Sequence, residues 1–233
     1  MIKFIRNFVE TSVIVSSCLS ILLLLVYFGL NGPALFSRWQ YTNKKVDLPV
    51  VEAKAVSYSS TLDDGMIWDE KNYEEIFLSS EMRKWYKEYA NQKENDTLYI
   101  PALDISAPIQ YVQTTDENEL QQKLRDGVGH YPDTAMPGEE GNVFIFGHSS
   151  YYWWDWFQYA NIFANLEKIN IGDKILVYYQ NKLFIYEVKQ TKVVEASDMS
   201  VLEQGNGKEL TLMTCTPIGT NLKRFIVVAE LVN

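Results

Sequence analysis

The sequence predicts a mostly β domain, a barrel or sandwich with short helices, preceded by one N-terminal transmembrane helix. Residues after about position 95 form short β-prone runs separated by turn residues, a pattern typical of all-β domains. Residues 11–30 are apolar and carry no charge, as a membrane span requires. The chain has 233 residues, of which 47% are hydrophobic, so it can bury one sizeable core and still supply an anchor. We therefore expect a single folded domain.

The first predicted element is a membrane-spanning helix at residues 11–30, TSVIVSSCLSILLLLVYFGL. About twenty helical residues, rising 1.5 Å each, cross roughly 30 Å of hydrocarbon. Lys3 and Arg6 precede the span, so the positive-inside rule assigns residues 1–10 to the cytoplasm and the rest of the chain to the outside. A cleaved signal peptide is the alternative. It is disfavoured because the apolar run is long and residues 31–34 (NGPA) form a poor cleavage site.

Residues 31–95 are expected to form an extracellular stalk, because most of this segment lacks strand alternation and carries mixed charges. Within residues 73–89, Ile76, Phe77 and Trp85 fall near helical spacing. This pattern predicts a helix that packs one face against the rest of the protein. The folded domain then occupies residues 96–233.

The folded domain contains a series of candidate strands. Residues 142–146 (NVFIF) are almost wholly apolar and predict a central strand. Asn181 tolerates a left-handed backbone, so the runs on either side of it predict a hairpin. The full set of predicted strands is 97–101, 107–112, 142–146, 173–179, 183–189, 210–214 and 223–231.

Two short helices are expected between these strands. Asp116, followed three residues later by Glu119, resembles a capping box and predicts a helix that ends at Leu124. Residues 151–168 are rich in aromatic side chains and end with the 163, 166, 169 apolar spacing of a short helix. These aromatic residues could pack in the core or line a cleft.

The net charge of −9 argues against one class of partner. Nucleic-acid-binding domains carry a basic stripe or patch, and none is visible in this sequence. We expect no nucleic-acid partner.

Cys215 is the first candidate for chemistry. The only other cysteine, Cys18, lies inside the apolar segment, so the two cannot plausibly form a disulfide. An unpaired thiol is unusual in an exported domain unless chemistry retains it. Cys215 ends the predicted strand 210–214, where a side chain can be presented at a rim. A small buried residue is the alternative interpretation of a lone cysteine.

His148 and Arg224 are candidates to act with this thiol. His148 follows the strand 142–146 as Cys215 follows its own, so parallel pairing of the two strands would bring both residues to one edge. An imidazole near a thiol can accept and return its proton. Arg224 opens the last strand, and an antiparallel return would bring its permanent charge beside Cys215. A structural histidine and a solvated arginine are the alternatives.

These three residues together match one known pattern. The string TLMTC at residues 211–215, with His148 upstream and Arg224 nine residues downstream, resembles the T-L-x-T-C…R signature of the sortase family. The resemblance covers about residues 97–232 and includes LYIPALDISAPI, GVGHYPDTAMPGEEGN, GHSS and TCTPIGTNLKRFIVVAEL in the same order.

The resemblance implies an eight-stranded β-barrel and a cell-surface cysteine transpeptidase. Such an enzyme cleaves a C-terminal sorting motif of surface proteins, such as Leu-Pro-x-Thr-Gly, and transfers the acyl group to an amine of the cell wall or of a pilin. In this role Cys215 would form the thioacyl intermediate, His148 would act as acid and base, and Arg224 would hold the oxyanion or the substrate. Thr214 would contribute to substrate binding.

The resemblance favours a housekeeping or class D/E-like sortase over a pilin-polymerising one, because neither an Asp-Pro-aromatic lid nor a second span is evident. Trp68-Asp69-Glu70 could still occupy the cleft. Some sortases bind calcium through acidic loops, but Glu139, Glu140, Glu195 and Asp198 could equally be solvated, so we expect no metal and no cofactor.

His130 lies in a family loop that looks structural, and it receives no catalytic role. Two other functions remain open. A hydrolytic cysteine protease would resolve the acyl-enzyme with water, and a non-catalytic membrane-anchored binding domain would merely pack Cys215 in its core.

Overall fold

The computed structural model describes residues 2–43, 96–155 and 157–232. Within them, one long helix precedes a closed barrel of eight strands with a short helix and four 3-10 turns. The helices and strands are α1 (Ile2–Asn43), β1 (Thr97–Ile100), β2 (Ile105–Tyr111), α2 (Glu117–Lys123), β3 (Val128–His130), β4 (Gly141–Phe146), β5 (Lys174–Tyr179), β6 (Lys182–Glu195), β7 (Lys208–Thr216) and β8 (Lys223–Leu231).

The barrel closes in the order β1-β2-β3-β4-β7-β8-β6-β5, with β5 pairing back onto β1. Two neighbouring pairs, β2 with β3 and β4 with β7, run parallel, and the others run antiparallel. The expected eight-stranded barrel is therefore confirmed.

The barrel interior holds the main hydrophobic core, to which every strand contributes side chains. β4 is buried along its whole length. Its own Phe144 and Phe146 pack on the outer side of the barrel in a second cluster, which also includes Ile226 of β8. Burial on both faces explains why the run 142–146 is almost entirely apolar.

Helix α1 contains the expected membrane span and continues beyond it. Its segment Ser12–Gly29 is long and apolar enough to cross a bilayer, and its side chains are exposed to the surroundings. The helix then runs on to Asn43, into the segment expected to be a stalk. The predicted packing helix at residues 73–89 and the candidate lid at residues 68–70 lie outside the described residues.

The continuation of α1 packs against the barrel. Ala34 is buried in a small apolar cluster with Ala164 and Ile218. Arg38 forms an ion pair with Glu167, with Nη1 and Oε2 3.2 Å apart, and its carbonyl oxygen accepts a hydrogen bond from the Lys168 ammonium at 3.0 Å. The helix is therefore attached to the barrel by apolar and polar contacts.

The N-terminus of α2 follows the sequence prediction in part. The Asp116 carboxylate accepts a hydrogen bond from the Glu119 amide at 3.1 Å, which is the expected cap. The Asp116 amide donates to the Thr114 hydroxyl at 3.0 Å. In a full capping box this amide would donate to the Glu119 side chain. Here the Thr114 hydroxyl takes the place of that acceptor.

The β5–β6 hairpin turns at Gln180 and Asn181, which both have positive φ angles, 47° and 63°. A two-residue turn of this kind matches the twist of the flanking strands. β6 extends to Glu195, beyond the predicted end at residue 189, and its outer half pairs with β8. The three-residue strand β3 was not predicted, because so short a run gives no periodic signal.

The short helix predicted near the end of residues 151–168 is present only as the 3-10 turn Leu166–Lys168 and not as an α-helix. The segment instead forms turns and two 3-10 turns, Trp153–Asp155 and Leu166–Lys168. The Phe163 amide donates to the His148 carbonyl oxygen at 2.9 Å, a bond outside the segment. This bond takes the amide away from the i to i−4 ladder that a helix would require.

Candidate active site

His148 lies two residues beyond β4 and Cys215 is the second-last residue of β7, and these parallel strands are hydrogen-bonded neighbours. The last paired residues of β4 and β7 are Phe146 and Met213, and the Gly147 amide donates to the Met213 carbonyl oxygen at 3.1 Å. Two residues further along each strand, the same register brings His148 level with Cys215. The parallel arrangement expected from the sequence is confirmed.

Thr214 links the same two strand ends. Its side chain is buried, and its hydroxyl donates to the Gly147 carbonyl oxygen at 2.9 Å. This bond holds the backbone just before His148 against the backbone just before Cys215. The predicted contact between Thr214 and substrate stays a prediction.

Arg224 lies directly opposite Cys215 in the antiparallel pair of β7 and β8. Opposite residues in such a pair project to the same side of the sheet. The Arg224 guanidinium donates through Nη1 to the carbonyl oxygens of Asn221, at 2.9 Å, and Lys223, at 3.1 Å. The β7–β8 loop thus holds this cation at the rim beside a partly exposed thiol.

The His148 ring lies in an aromatic environment. Its centroid is 5.0 Å from that of Tyr151 and 5.8 Å from that of Phe157. Within the described residues, its buried Nε2 has no hydrogen-bond partner. Burial lowers the pKa of His148 to about 4, because a charged imidazolium is poorly solvated there. The imidazole is therefore neutral at pH 7 and can accept a proton.

A salt bridge fixes the loop that carries these aromatic residues. The Arg125 guanidinium donates two hydrogen bonds to the Asp155 carboxylate, at 2.9 and 2.8 Å. Its Cζ also lies 4.6 Å from the centroid of the Phe157 ring, within range of a cation–π contact. Arg125 therefore touches the same ring that packs against His148. Arg125 and Asp155 were not predicted as members of the site.

The β7–β8 loop is connected to its surroundings by two further bonds that the sequence analysis also missed. The Gly219 amide donates to the Ser150 hydroxyl at 3.0 Å. This bond joins the β7–β8 loop to the loop that carries Tyr151 and Phe157, which we call the aromatic loop. The Thr216 hydroxyl donates to the Glu167 carboxylate, whose other oxygen receives Arg38. Contacts between loops distant in sequence leave no local pattern that could have revealed them.

His130 has a structural environment, as expected. It is buried, its Nε2 lies 2.9 Å from the Ala135 carbonyl oxygen, and its ring packs near that of Tyr111. Burial lowers the pKa of His130 below its ordinary value. This residue lies on β3, away from the strand ends that carry the candidate site.

Three of the four acidic residues considered for calcium already bind other groups of the protein. The Glu139 carboxylate accepts from the Met136 amide, Asp198 caps Ser200, and Glu195 pairs with Lys223. In the described part of the chain, no group of three His, Cys, Asp or Glu side chains is placed to hold a metal ion.

The comparison with known families covers the barrel. The Sortase domain profile matches residues 98–232, more than half of the chain. The chain is a member of the sortase family. Sortase D of Bacillus subtilis is 31% identical over 56% of the chain, and sortase SrtE1 of Streptomyces coelicolor is 34% identical over 58%. Both relatives are consistent with the expected class D/E-like grouping.

Solved sortase structures share the fold. Sortase C-1 from Actinomyces oris has a TM-score of 0.52 and 27% identity, over 64% of this chain and 81% of that one. The matched region of our sortase chain corresponds to 60% of the length of Sortase D and 39% of that of SrtE1.

Proposed function

We propose that this sortase is a cysteine transpeptidase with Cys215 as nucleophile, His148 as general acid and base, and Arg224 as the cation that stabilises the oxyanion or holds the substrate. One observation carries the proposal: the three residues occupy one end of three adjacent strands, β4, β7 and β8, with Cys215 in the middle. This arrangement supplies a nucleophile, a proton acceptor and a fixed positive charge.

In the acylation step, the Cys215 thiol gives its proton to the neutral His148 imidazole, and the sulfur attacks the carbonyl carbon of the scissile peptide bond. The oxygen of the tetrahedral intermediate becomes negative and is stabilised by the nearby Arg224 guanidinium. His148 then returns the proton to the leaving amine. The C–N bond breaks, a thioester remains on Cys215, and the C-terminal part of the substrate leaves.

In the second step, an acceptor amine attacks the thioester carbonyl carbon and transfers a proton to His148. The C–S bond breaks, the Cys215 sulfur recovers a proton from His148, and a new amide is released. If water replaced the amine, the same site would hydrolyse its substrate. The competition between amine and water therefore decides whether the enzyme joins or only cleaves.

The proposed substrates are surface proteins with a C-terminal sorting motif of the Leu-Pro-x-Thr-Gly type. The proposed acceptor is an amine of a cell-wall peptide or of a pilin. Family membership supports this substrate class, and the helix Ser12–Gly29 supports attachment to the membrane. We place residues 1–10 in the cytoplasm and the barrel outside, following the positive charges of Lys3 and Arg6.

The test uses the full-length chain in nanodiscs, incubated with a library of sorting-motif peptides and with candidate amines, and analysed by mass spectrometry. We expect an amide between the N-terminal part of one peptide class and an added amine. Release of only the cleaved acid at every amine concentration would instead identify a hydrolase.

The nucleophile has a matched control within the same chain. We expect Cys215→Ala to abolish product formation and the thioacyl adduct, with an unchanged circular dichroism spectrum, because the change removes one sulfur from a partly exposed site. Cys18→Ala should leave the rate unchanged. A Cys215→Ala protein that turns over at the normal rate would contradict the proposal.

A further inference from the structure

The rim of the barrel next to helix α1 exposes apolar side chains on two loops. Tyr152 is 54% exposed, Trp154 58% and Leu222 65%. The Tyr152 and Trp154 rings stack with centroids 4.8 Å apart and planes inclined by 16°. We propose that these three residues, the interfacial rim, bind the headgroup region of the membrane. The inference rests on the proposed anchoring through α1.

The height of the rim above the membrane follows from its contacts with α1. The helix contacts the 3-10 turn Trp153–Asp155, which contains Trp154 and directly follows Tyr152. Asn31 is buried against Gly219 so closely that a β-carbon at position 219 would overlap its amide group. Asn31 lies two residues beyond Gly29, the end of the apolar span, which is about 3 Å along a helix. Both loops thus lie near the level at which the hydrocarbon ends.

The two loops are held at the same level. The Gly219 amide donates to the Ser150 hydroxyl, so the β7–β8 loop and the aromatic loop are bonded beside Asn31. Headgroups occupy roughly 5–8 Å on each side of the hydrocarbon. Arg38, which binds the barrel through Glu167, is nine residues beyond Gly29, or about 13 Å further along the helix. The rim therefore falls within the headgroup layer, and the Arg38 contact falls outside it.

The chemistry of the rim fits this layer. Tyrosine and tryptophan concentrate at membrane interfaces because their rings are apolar while their hydroxyl and indole N–H groups can remain hydrated. The acidic residue of the aromatic loop, Asp155, is bound by Arg125 through two hydrogen bonds, which reduces the cost of bringing this loop close to lipid. Leu222 adds an aliphatic contact from the second loop.

The lipid contact would act on the catalytic site because the same loops build it. Tyr151 and Phe157, which pack on His148, flank the exposed Tyr152 and Trp154. Asn221, whose carbonyl oxygen holds Arg224, precedes Leu222. Membrane binding of the rim would therefore fix the position of both catalytic loops and keep the cleft at the membrane surface.

The test measures depth with a fluorescent probe on single cysteines in the full-length chain, with Cys18→Ala and Cys215→Ala as background. Trp154→Cys and Leu222→Cys report the rim, Leu22→Cys reports the span, and Lys208→Cys, at the opposite end of β7, is the control. Each protein is labelled with an environment-sensitive dye and placed in nanodiscs with lipids that carry a nitroxide at the headgroup or deep in the chain.

We expect headgroup nitroxides to quench the probes at positions 154 and 222 at least threefold more than the probe at 208, and deep nitroxides to quench the probe at 22. Quenching at 22 without quenching at 154 and 222 would overturn the rim proposal and leave the anchoring intact. Absence of quenching at 22 would overturn the anchoring and the rim together. If the probe at 154 is shielded in detergent, and the shielding increases with protein concentration, the rim binds a protein partner instead of lipid.

A second measurement follows activity. The double variant Tyr152→Ser, Trp154→Ser should lose severalfold in kcat/KM in nanodiscs and stay near the parent rate in detergent, where no bilayer surface exists. Equal losses in both environments would show that these residues support the loop itself and would overturn the membrane role.

Discussion

Arg224 allows a residue-scale test that separates charge from shape. We expect Arg224→Lys and Arg224→Ala each to lower the transpeptidation rate on the order of a hundred- to a thousandfold, roughly 3–4 kcal/mol. A lysine keeps the charge but cannot reproduce the planar fork, which binds loop carbonyl oxygens and which we propose also binds the substrate. The rates are compared by single-turnover kinetics on folded proteins.

Lys223→Ala is the matched control for this experiment. Lys223 is the preceding residue of β8, is exposed, and pairs with Glu195 at 2.8 Å. An exposed pair of this kind contributes little, so the variant should keep a normal rate. Near-normal rates in both Arg224 variants would remove Arg224 from the site.

The pH dependence of catalysis tests the proton transfer. We expect a bell-shaped profile, because activity requires either a minority thiolate–imidazolium form or a strongly coupled thiol–imidazole pair. The acid limb should lie well below pH 6.5, since burial lowers the pKa of His148 to about 4. A flat profile with chemistry shown to be rate-limiting would exclude both forms.

The same buried imidazole makes stability depend on pH. Its pKa is about 4 in the folded protein and ordinarily 6.5, so the unfolded chain binds more protons between these values. The contribution of this group to the free energy of unfolding is therefore fully present above pH 6.5, and it falls by about 3 kcal/mol as the pH drops to 4. We expect His148→Gln to show a smaller loss between pH 7 and 4.5 in urea unfolding. An equal loss would show that other groups, such as His130, cause it.

The sequence identified the catalytic candidates because each ends or begins a strand. His148 follows a continuous apolar run, Cys215 follows an alternating one, and Arg224 lies at the start of a strand that returns antiparallel. Arg125 and Asp155 could not be found in this way. They are 30 residues apart with β3 and β4 between them, and neither lies in a periodic run.

At the scale of elements, the aromatic loop depends on its salt bridge. We expect Arg125→Ala and Arg125→Lys to lower kcat by about fivefold or more, because both remove the fork of two hydrogen bonds to Asp155, and the alanine also removes the cation beside Phe157. Asp155→Asn should have a similar but smaller effect. The measurement is a double-mutant cycle on kcat, which isolates the coupling between the two side chains.

Additive effects in that cycle would show that Arg125 and Asp155 act separately. Lys123→Ala is the control, because Lys123 belongs to the preceding helix α2 and has an ordinary surface position. Its rate should equal that of the parent.

Most elements were predictable because their local signals agree with the fold. The hairpin at Gln180 and Asn181 and the cap at Asp116 depend on a few neighbouring residues. The segment 151–168 shows where this fails. The Phe163 amide finds its acceptor at His148, so tertiary structure overrides the apolar spacing.

At the scale of the whole molecule, the barrel should fold independently of helix α1. We expect the fragment from Asn95 onward to fold and react, because all eight strands and the three catalytic candidates lie within it. Its melting temperature should be lower than that of the full chain, since Ala164 and Ile218 lose the cover of Ala34 and Glu167 loses Arg38. Circular dichroism and the transpeptidation assay measure both properties.

Two outcomes would change this view of the fragment. Insolubility that persists in the variant Ile218→Thr would indicate that residues before 95 complete the core. Higher activity than the full chain would show that a preceding segment covers the cleft.

The closed ring of strands limits how a peptide substrate can be recognised. Many proteins capture an extended peptide by adding it as one more strand to an open sheet, with main-chain hydrogen bonds along the edge. Here β5 pairs back onto β1, so the ring of eight strands has no first or last member that could accept a ninth. The sorting peptide of the proposed function would therefore be recognised by side chains of the loops at the rim. Exchanging those loops between sortases should change which motif is cleaved without rebuilding the barrel.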